Sequence, residues 1–130
     1  MKLGNDEVQL TKIVEKMGLT NLTPQIDTDT KYVTQPDVNR PALQLAGFYD
    51  HFDNERVQII GYVEEAYIEK LDRDTRVQRY RQLMESNIPC LIFCRSQQPD
   101  QDLLELALKY EIPLLSSDAS TSSFMAEIIR

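Results

Sequence analysis

Residues 87–116 read NIPCLIFCRSQQPDQDLLELALKYEIPLLS, and this stretch decides the fold class. An Ile-Pro turn precedes a short apolar segment twice, at residues 90–94 and again at residues 114–116. Between them, residues 99–110 carry the apolar spacing of a helix that begins at Pro99-Asp100. Strands joined through a helix of this length run parallel, with a right-handed crossover. The stretch therefore predicts a β-α-β unit.

Further elements of the same kind flank this unit. Residues 57–60 (VQII) are β-branched and short, which predicts a buried strand. The apolar spacing predicts helices at 64–71, 74–86 and 121–129. This order favours a single α/β domain over residues 1–130, a three-layer α/β/α arrangement with a mixed, partly parallel sheet.

The first third of the chain is less regular. Its apolar spacing predicts a first helix that is capped by Asn5 or Asp6 and ended by Gly18. Residues 20–30 are rich in Thr, Asn, Asp and Pro, which predicts a loop with a short extended piece near Ile26.

A strand and a short helix are predicted next. Residues 31–35 favour the strand, which Pro36 ends. Pro41 suits the first helical position, where its missing N–H would be unpaired anyway. Asn39 or Arg40 would then cap that helix, and Gly47 would follow its end.

Composition and charge exclude several classes of protein. The chain is 42% hydrophobic and 27% charged, as globular domains are, and its net charge is −7. This acidity argues against nucleic-acid or membrane-surface binding, which needs clustered Lys and Arg. No apolar run approaches the roughly 20 residues of a membrane span, and the N-terminus lacks the apolar core of a signal peptide. We therefore expect a cytoplasmic protein.

The two cysteines predict free thiols. On one strand, Cys90 and Cys94 would share a face about 13 Å apart at ~3.3 Å per residue, beyond the roughly 7 Å that a disulfide allows between Cα atoms. With a single histidine they also do not suggest zinc. The four glycines are too scattered for a phosphate-binding loop. We expect no metal site and no catalytic residue in this chain.

Two groups of residues are better explained by structure than by catalysis. His51, beside Asp50, is the only candidate imidazole base, but a lone histidine among aromatic residues is more often packed or exposed than catalytic. Arginines recur at positions 73, 76 and 79 and could face a phosphate. Acidic residues at 69, 72 and 74 interleave with them, which favours a solvated helix with salt bridges.

The pair Asn39-Arg40 is the first candidate for binding or for an interface. An arginine just before a helix that starts with proline can hold a carboxylate or a phosphate. It can also brace the turn against Asp37 or Asp50. Bracing or a contact between subunits is the interpretation that we favour.

The segment SSDASTSS, residues 116–123, is the second candidate. It lies between the last predicted strand and the last helix, and α/β domains bind ligands in such loops. Ser117, Ser120 and Thr121 are the residues that could contact a ligand. The alternative is that Ser120 or Thr121 only caps the helix, which is the commoner use of such residues.

An ordered set of segments resembles a known family. The segments are DVNRPALQLAGFYDHF (37–52), RVQIIG (56–61), YIEKL (67–71), IPCLIFCR (88–95), PDQDLLELALKY (99–110) and IPLLSSDASTSSF (112–124). In this order and spacing, the chain from Leu10 to Phe124 resembles the N-terminal domain of HPr kinase/phosphorylase.

The resemblance implies much more than the composition does. The family is a bifunctional bacterial enzyme of carbon catabolite regulation. It phosphorylates a serine of HPr, the phosphocarrier of the sugar phosphotransferase system, with ATP or pyrophosphate and magnesium, and it reverses the reaction by phosphorolysis. Members form hexamers, and their N-terminal domain is similar to the nucleotide-sugar-binding domain of the muramoyl-peptide ligases.

Catalytic residues cannot be carried over to this sequence. In the family, the phosphate loop and the acid/base residues lie in a second domain, after the position of Phe124, and that kinase domain is absent here. The resemblance thus implies a non-catalytic assembly or regulatory domain, whose partners are its own C-terminal kinase domain, HPr and further copies of the enzyme. The alternative is a module that binds a nucleotide-sugar or a phosphorylated metabolite. A stand-alone enzyme that uses His51 is the least favoured interpretation.

Overall fold

The computed structural model describes residues 7–128, which form seven short strands and six α-helices. The strands are β1 (Val8–Gln9), β2 (Thr20–Asn21), β3 (Tyr32–Val33), β4 (Val38–Asn39), β5 (Val57–Ile60), β6 (Leu91–Phe93) and β7 (Leu114–Ser116). The helices are α1 (Leu10–Met17), α2 (Ala42–Leu45), α3 (Tyr62–Glu69), α4 (Arg73–Glu85), α5 (Gln101–Tyr110) and α6 (Thr121–Ile128), and a 3₁₀ helix spans Thr28–Thr30.

Five of the strands form one mixed sheet in the order β2-β7-β6-β5-β4. The four strands from β4 to β7 are parallel, and β2 pairs antiparallel with β7 at the edge. Strands β1 and β3 form a separate antiparallel pair. The predicted α/β class with a mixed, partly parallel sheet is confirmed.

Side chains alternate between two apolar cores, one on each face of the sheet. On β5, Ile59 belongs to one core and Ile60 to the other, and Ile92 and Phe93 divide in the same way on β6. Helices α2 to α5 complete the core around Ile60 and Phe93. Helices α1 and α6, with β3, complete the core around Ile59 and Ile92. Because both faces of the central strands are covered, these strands are apolar almost throughout.

Local signals position several helix ends. The Asp72 carboxylate accepts the Thr75 backbone N–H at 2.8 Å before α4, and Asp100 accepts that of Leu103 at 2.9 Å before α5. Gly18 follows α1 with a φ of 63°, as the predicted stop requires. The predicted caps at positions 5 and 6 lie outside the described residues, and α1 begins at Leu10.

The N-terminal third differs most from the prediction. The predicted loop at 20–30 contains β2, and the predicted strand at 31–35 is reduced to β3 outside the main sheet. Asn39, predicted as a possible helix cap, forms β4 with Val38 in the main sheet, and Pro41 lies at the cap of α2 rather than at its first position. Strands of two residues are too short to show an alternating pattern, so only their distant partners define them.

The structure also settles two side-chain predictions. Both cysteines are free and buried, as predicted, and burial raises the pKa of the Cys90 thiol to about 12. Two arginines of α4 form ion pairs, and their partners lie on α5 and at its N-terminal cap rather than on their own helix. Arg73 lies 3.0 Å from Asp102, and Arg76 lies 3.3 Å from Asp100. None of the helices among residues 7–128 is long and apolar enough to cross a membrane.

Candidate functional site at the carboxyl edge of the sheet

A cleft lies where the four parallel strands end. Arg40 follows β4, Gly61 follows β5 and Arg95 lies two residues after β6, so the topology brings them to one edge. The cleft has a volume of about 250 Å³ and is lined by Arg40, Tyr62, Val63, Arg95, Thr121, Ser122 and Met125. We call it the basic cleft, because two arginines and no carboxylate line it.

A buried carboxylate orients Arg40. Its Nη2 lies 2.9 Å from Glu64 Oε1, and the same oxygen accepts the backbone N–H of Gly61 at 2.6 Å. The Glu64 side chain is 2% exposed, whereas that of Arg40 is 36% exposed. Glu64 therefore binds the guanidinium on its buried side, while part of the Arg40 side chain remains accessible to solvent. The brace that the sequence suggested exists, but its acid is Glu64 of α3 rather than Asp37 or Asp50.

Gly61 permits the close approach of the loops around it. A Cβ atom at this position would lie 2.8 Å from Arg40 Nη2 and would collide with the hydroxyl of Thr121. A larger residue would force one of these side chains away. The absence of a Cβ atom at Gly61 therefore leaves the space that the Arg40 and Thr121 side chains occupy beside the cleft.

Arg95 lines the cleft and lies over the ring of Tyr62. Its guanidinium carbon is 4.7 Å from the ring centroid, within the range of a cation–π contact. Arg95 and Ser96 both have positive φ, 57° and 54°. Their backbone N–H groups donate to the carbonyls of Ala119 at 2.9 Å and Ser117 at 2.8 Å. The loops after β6 and β7 are thus tied together.

Arg95 was not among the predicted candidates. A signal was present, because this residue directly follows the predicted strand at 90–94. Parallel strands place their following residues at one edge, so a cation after one strand lies near a cation after another. Arg40 and Thr121 were predicted candidates, and the structure places both in the basic cleft with Arg95.

Asn39 has a different environment from that of its neighbour Arg40. Its side-chain amide donates to Gln58 Oε1 at 2.7 Å and to Gln44 Oε1 at 3.1 Å. Gln58 is fully buried and Gln44 nearly so. Asn39 thus joins β4 to β5 and α2, and it does not line the basic cleft.

The two candidate serines hold the loop before α6. The Ser117 hydroxyl oxygen accepts the backbone N–H of Ala119 at 3.1 Å, and only 6% of this residue is exposed. The Ser120 hydroxyl oxygen accepts the backbone N–H of Ser123 at 3.2 Å, which is the geometry of a helix cap. The capping alternative therefore describes Ser120, while Thr121 faces the cleft.

A second cleft lies on the other side of Tyr62. It has a volume of about 440 Å³ and is lined by Tyr62, Glu65, Ala66, Glu69, Gln97 and Gln98. We call it the acidic cleft. Burial raises the pKa of Glu65 to about 7, and the negative charges of Glu69, Asp100 and Glu64 add to the shift.

The remaining candidates for chemistry lie apart from both clefts. His51 is exposed in a turn, where its φ is 63°. Within residues 7–128, no three His, Cys, Asp or Glu side chains cluster in a way that could hold a metal ion. The geometry of the basic cleft suits binding of an anion.

Comparison with known proteins identifies the family. Residues 8–130 match the family model described as the HPr Serine kinase N terminus. The chain belongs to this family. It is 50% identical over 123 residues to the HPr kinase/phosphorylase of Lachnoclostridium phytofermentans, which covers 95% of this chain and 40% of that protein. It is 38% identical over 117 residues to that of Caldicellulosiruptor bescii, with 90% of this chain and 38% of that protein covered. The chain thus spans about 40% of the length of these relatives.

A solved structure shares the fold of this kinase N-terminal domain. It is the crystal structure of the CBS and DRTGG domains of the regulatory region of a Clostridium perfringens pyrophosphatase, complexed with its activator diadenosine tetraphosphate. The TM-score is 0.62 at 16% identity, and the match covers 93% of this chain and 46% of that one. At this identity the similarity concerns the fold.

Proposed function

We propose that residues 8–128 act as a non-catalytic assembly or regulatory domain of a cytoplasmic HPr kinase/phosphorylase. The observation that carries this proposal is the family match over nearly the whole chain, which corresponds to only 40% of the length of the Lachnoclostridium phytofermentans relative. The full protein would phosphorylate a serine of HPr with ATP or pyrophosphate and magnesium, and would reverse that reaction. The scattered glycines of this chain support a location of the phosphate chemistry in another domain.

An exposed apolar surface supports the assembly role. Most of the large exposed apolar side chains lie on or beside α2 and α3, which pack together: Leu43, Phe48, Tyr62, Val63 and Tyr67. We call this the α2–α3 surface. Exposed apolar groups that cluster in this way are typical of interaction sites. Its proposed occupant is the kinase domain of the same enzyme, in the same subunit or in a neighbouring subunit of a hexamer.

A chimera tests this proposal. The matching 123 residues of the Lachnoclostridium phytofermentans enzyme are replaced by those of this chain. We expect the chimera to keep the oligomeric mass of the parent, measured by light scattering, and its phosphorylation of HPr. This chain alone should transfer no phosphate to HPr. A folded chimera that is monomeric, or phosphorylation of HPr by this chain alone, would contradict the proposal.

Variants of the chimera test the α2–α3 surface itself. Leu43→Ser should lower the oligomeric mass or the kinase rate, because Leu43 is 60% exposed and lines neither cleft, so a contact is the role left to its side chain. Gln101→Ser, at an exposed position on α5, is the control and should change neither quantity. Equal behaviour of the two variants would show that the surface is free in the assembled enzyme.

A second proposed function is the binding of a small ligand, a nucleotide-sugar or a phosphorylated metabolite, in the basic cleft. The observation in its favour is that Arg40 and Thr121, which are distant in sequence, line one cleft. Calorimetric titration of the purified chain with a UDP-sugar and with a sugar bisphosphate tests it. Heat of binding that is lost in Arg40→Ala would support the function, and absence of heat with both ligands would remove it.

A further inference from the structure

We infer that the basic cleft binds the phosphoryl group of a small metabolite, with Arg40 and Arg95 as its two cationic contacts. This inference rests on the second proposed function and narrows it to one class of ligand. A guanidinium presents a planar set of N–H donors that matches two oxygens of a phosphate group. Two such groups, from the segments that follow β4 and β6, line one cleft, which suits a group with several anionic oxygens.

The charges around the cleft favour an anion within a chain that is acidic as a whole. The net charge of the chain is −7, yet the residues that line this cleft include two cations and no acid. Glu64 lies behind Arg40 and offsets part of its charge. Arg95 is exposed, and its contact is the ring of Tyr62 rather than a carboxylate. Arg95 thus supplies a cation that no ion pair among the described residues neutralises.

Hydroxyl groups complete the set of donors. Thr121 and Ser122 open α6 and line the cleft. Each hydroxyl can donate one hydrogen bond to a phosphate oxygen. Backbone hydrogen bonds from Arg95 and Ser96 to the loop after β7 join the two backbone segments that carry the arginine and the hydroxyls. Less ordering of the backbone is then needed when a ligand binds.

The size of the cleft distinguishes two ligand classes. Its volume of about 250 Å³ is below the roughly 300–1,000 Å³ that is typical of pockets for drug-sized molecules. A phosphoryl group with a few further atoms fits, while a nucleotide-sugar would extend far outside. We therefore favour a phosphorylated metabolite over a nucleotide-sugar.

Nuclear magnetic resonance titration of this chain tests the inference. The probes are inorganic phosphate and pyrophosphate, added at constant ionic strength to ¹⁵N-labelled protein. We expect saturable shifts of the backbone amides of Gly61, Thr121 and Ser122. Absence of saturable shifts at these amides, or shifts that are stronger elsewhere, would overturn the inference.

Two variants with the same change in net charge make the test specific. Arg95→Ala should weaken the binding of pyrophosphate at least tenfold. Arg73→Ala removes an arginine that Asp102 already pairs, and it should change the affinity less than twofold. Equal losses of affinity in the two variants would mean that pyrophosphate binding depends only on the net charge of the chain. This result would overturn the inference. Because both arginines are exposed, both variants should keep the amide spectrum of the folded chain.

Phosphate-free ligands separate failure of the inference from failure of the proposed function. Uridine and a free sugar are titrated in the same way. Shifts in the cleft with one of these, but none with phosphate or pyrophosphate, would keep a small-ligand function and overturn the phosphate class. No saturable shift with any probe would overturn both. The chimera experiment on the kinase role is unaffected by either result.

Discussion

Two clefts of opposite charge share the ring of Tyr62. Besides this ring, the basic cleft has two arginines and the hydroxyls of Thr121 and Ser122, whereas the acidic cleft has two glutamates and two glutamine amides. Each charge is arranged differently. Arg40 is oriented by a buried acid, while burial and then the charges of neighbouring acids raise the pKa of Glu65. The difference indicates that the basic cleft is organised to bind an anion, whereas the charged form of Glu65 in the acidic cleft lowers the stability of the fold.

The largest expected effect comes from Glu64, the acid behind the basic cleft. Glu64→Ala removes a buried acceptor that serves both Arg40 and the Gly61 backbone N–H. Hydrogen bonds to charged groups contribute about 1.5–3 kcal/mol each. Because Arg40 is more than one third exposed, its share is reduced by solvent. We expect the free energy of unfolding to fall by about 2–3 kcal/mol in total.

Urea unfolding of Glu64→Ala measures this loss, and Glu69→Ala is the matched control. Glu69 is an exposed glutamate of the same helix and belongs to the acidic cleft. Its removal should change the unfolding midpoint little, because an exposed charge contributes little to stability. Similar losses of unfolding free energy in the two variants would show that the buried acid beside Arg40 contributes no more to stability than an exposed acid of the acidic cleft.

Gly61→Ala is expected to have the next largest effect. The added methyl group would collide with the Thr121 hydroxyl and approach Arg40 Nη2. Overpacking of this kind costs typically about 1–3 kcal/mol, and the low end applies because the end of the arginine side chain can move. Thermal unfolding of the variant and of the double variant Gly61→Ala/Thr121→Ala gives the test. Partial recovery in the double variant is expected, and no recovery would mean that the collision with Thr121 is not the cause.

Gly61 and Arg95 also show what the sequence can and cannot predict. The apolar segments at 57–60, 90–94 and 114–116 predicted the central strands β5, β6 and β7, because burial on both faces leaves a continuous apolar run. Because these strands are parallel, the residues that follow them lie at the same edge of the sheet. Which of them approach within van der Waals contact depends on loop geometry, which the sequence pattern does not contain. The edge could therefore be predicted, and the contact of Gly61 with Thr121 could not.

The N-terminal strands illustrate a second limit. Residues 20–21 and 38–39 become strands only because β7 and β5 offer them backbone partners. The α4 arginines illustrate a third limit, since Asp102 pairs with Arg73 from another helix. The sequence showed that acids were available, while packing of α4 against α5 selected which acid was used.

Glu65 should make the stability contributed by the acidic cleft depend on pH. The pKa of this carboxyl is about 7 in the fold and 4.5 ordinarily. Between these values the folded chain binds more protons than the unfolded chain does. The free energy of unfolding contributed by this group therefore falls as the pH rises from about 4.5 to about 7.

Glu65→Gln removes this titration and should flatten the dependence. Melting temperatures of the chain and of the variant are compared at pH 5 and pH 7.5. We expect the variant to be the more stable of the two at pH 7.5 and to lose the advantage at pH 5. An unchanged slope in the variant would mean that another group causes the dependence.

The smallest expected effect concerns Tyr62, which separates the two clefts. Tyr62→Ala removes the ring beneath Arg95, and an exposed cation–π contact contributes about 0.5–1 kcal/mol. Because the ring is 60% exposed, we expect a loss at the low end, about 0.5 kcal/mol in urea unfolding. Tyr62→Phe keeps the ring and should match the original chain in urea unfolding.

The same pair of variants also tests the position of Arg95. Without the ring, Arg95 is free to approach Glu65 or Glu69 of the acidic cleft, so pyrophosphate should bind more weakly to Tyr62→Ala than to Tyr62→Phe. Equal affinities in the two variants would show that the ring only covers the surface and does not hold Arg95 towards the basic cleft.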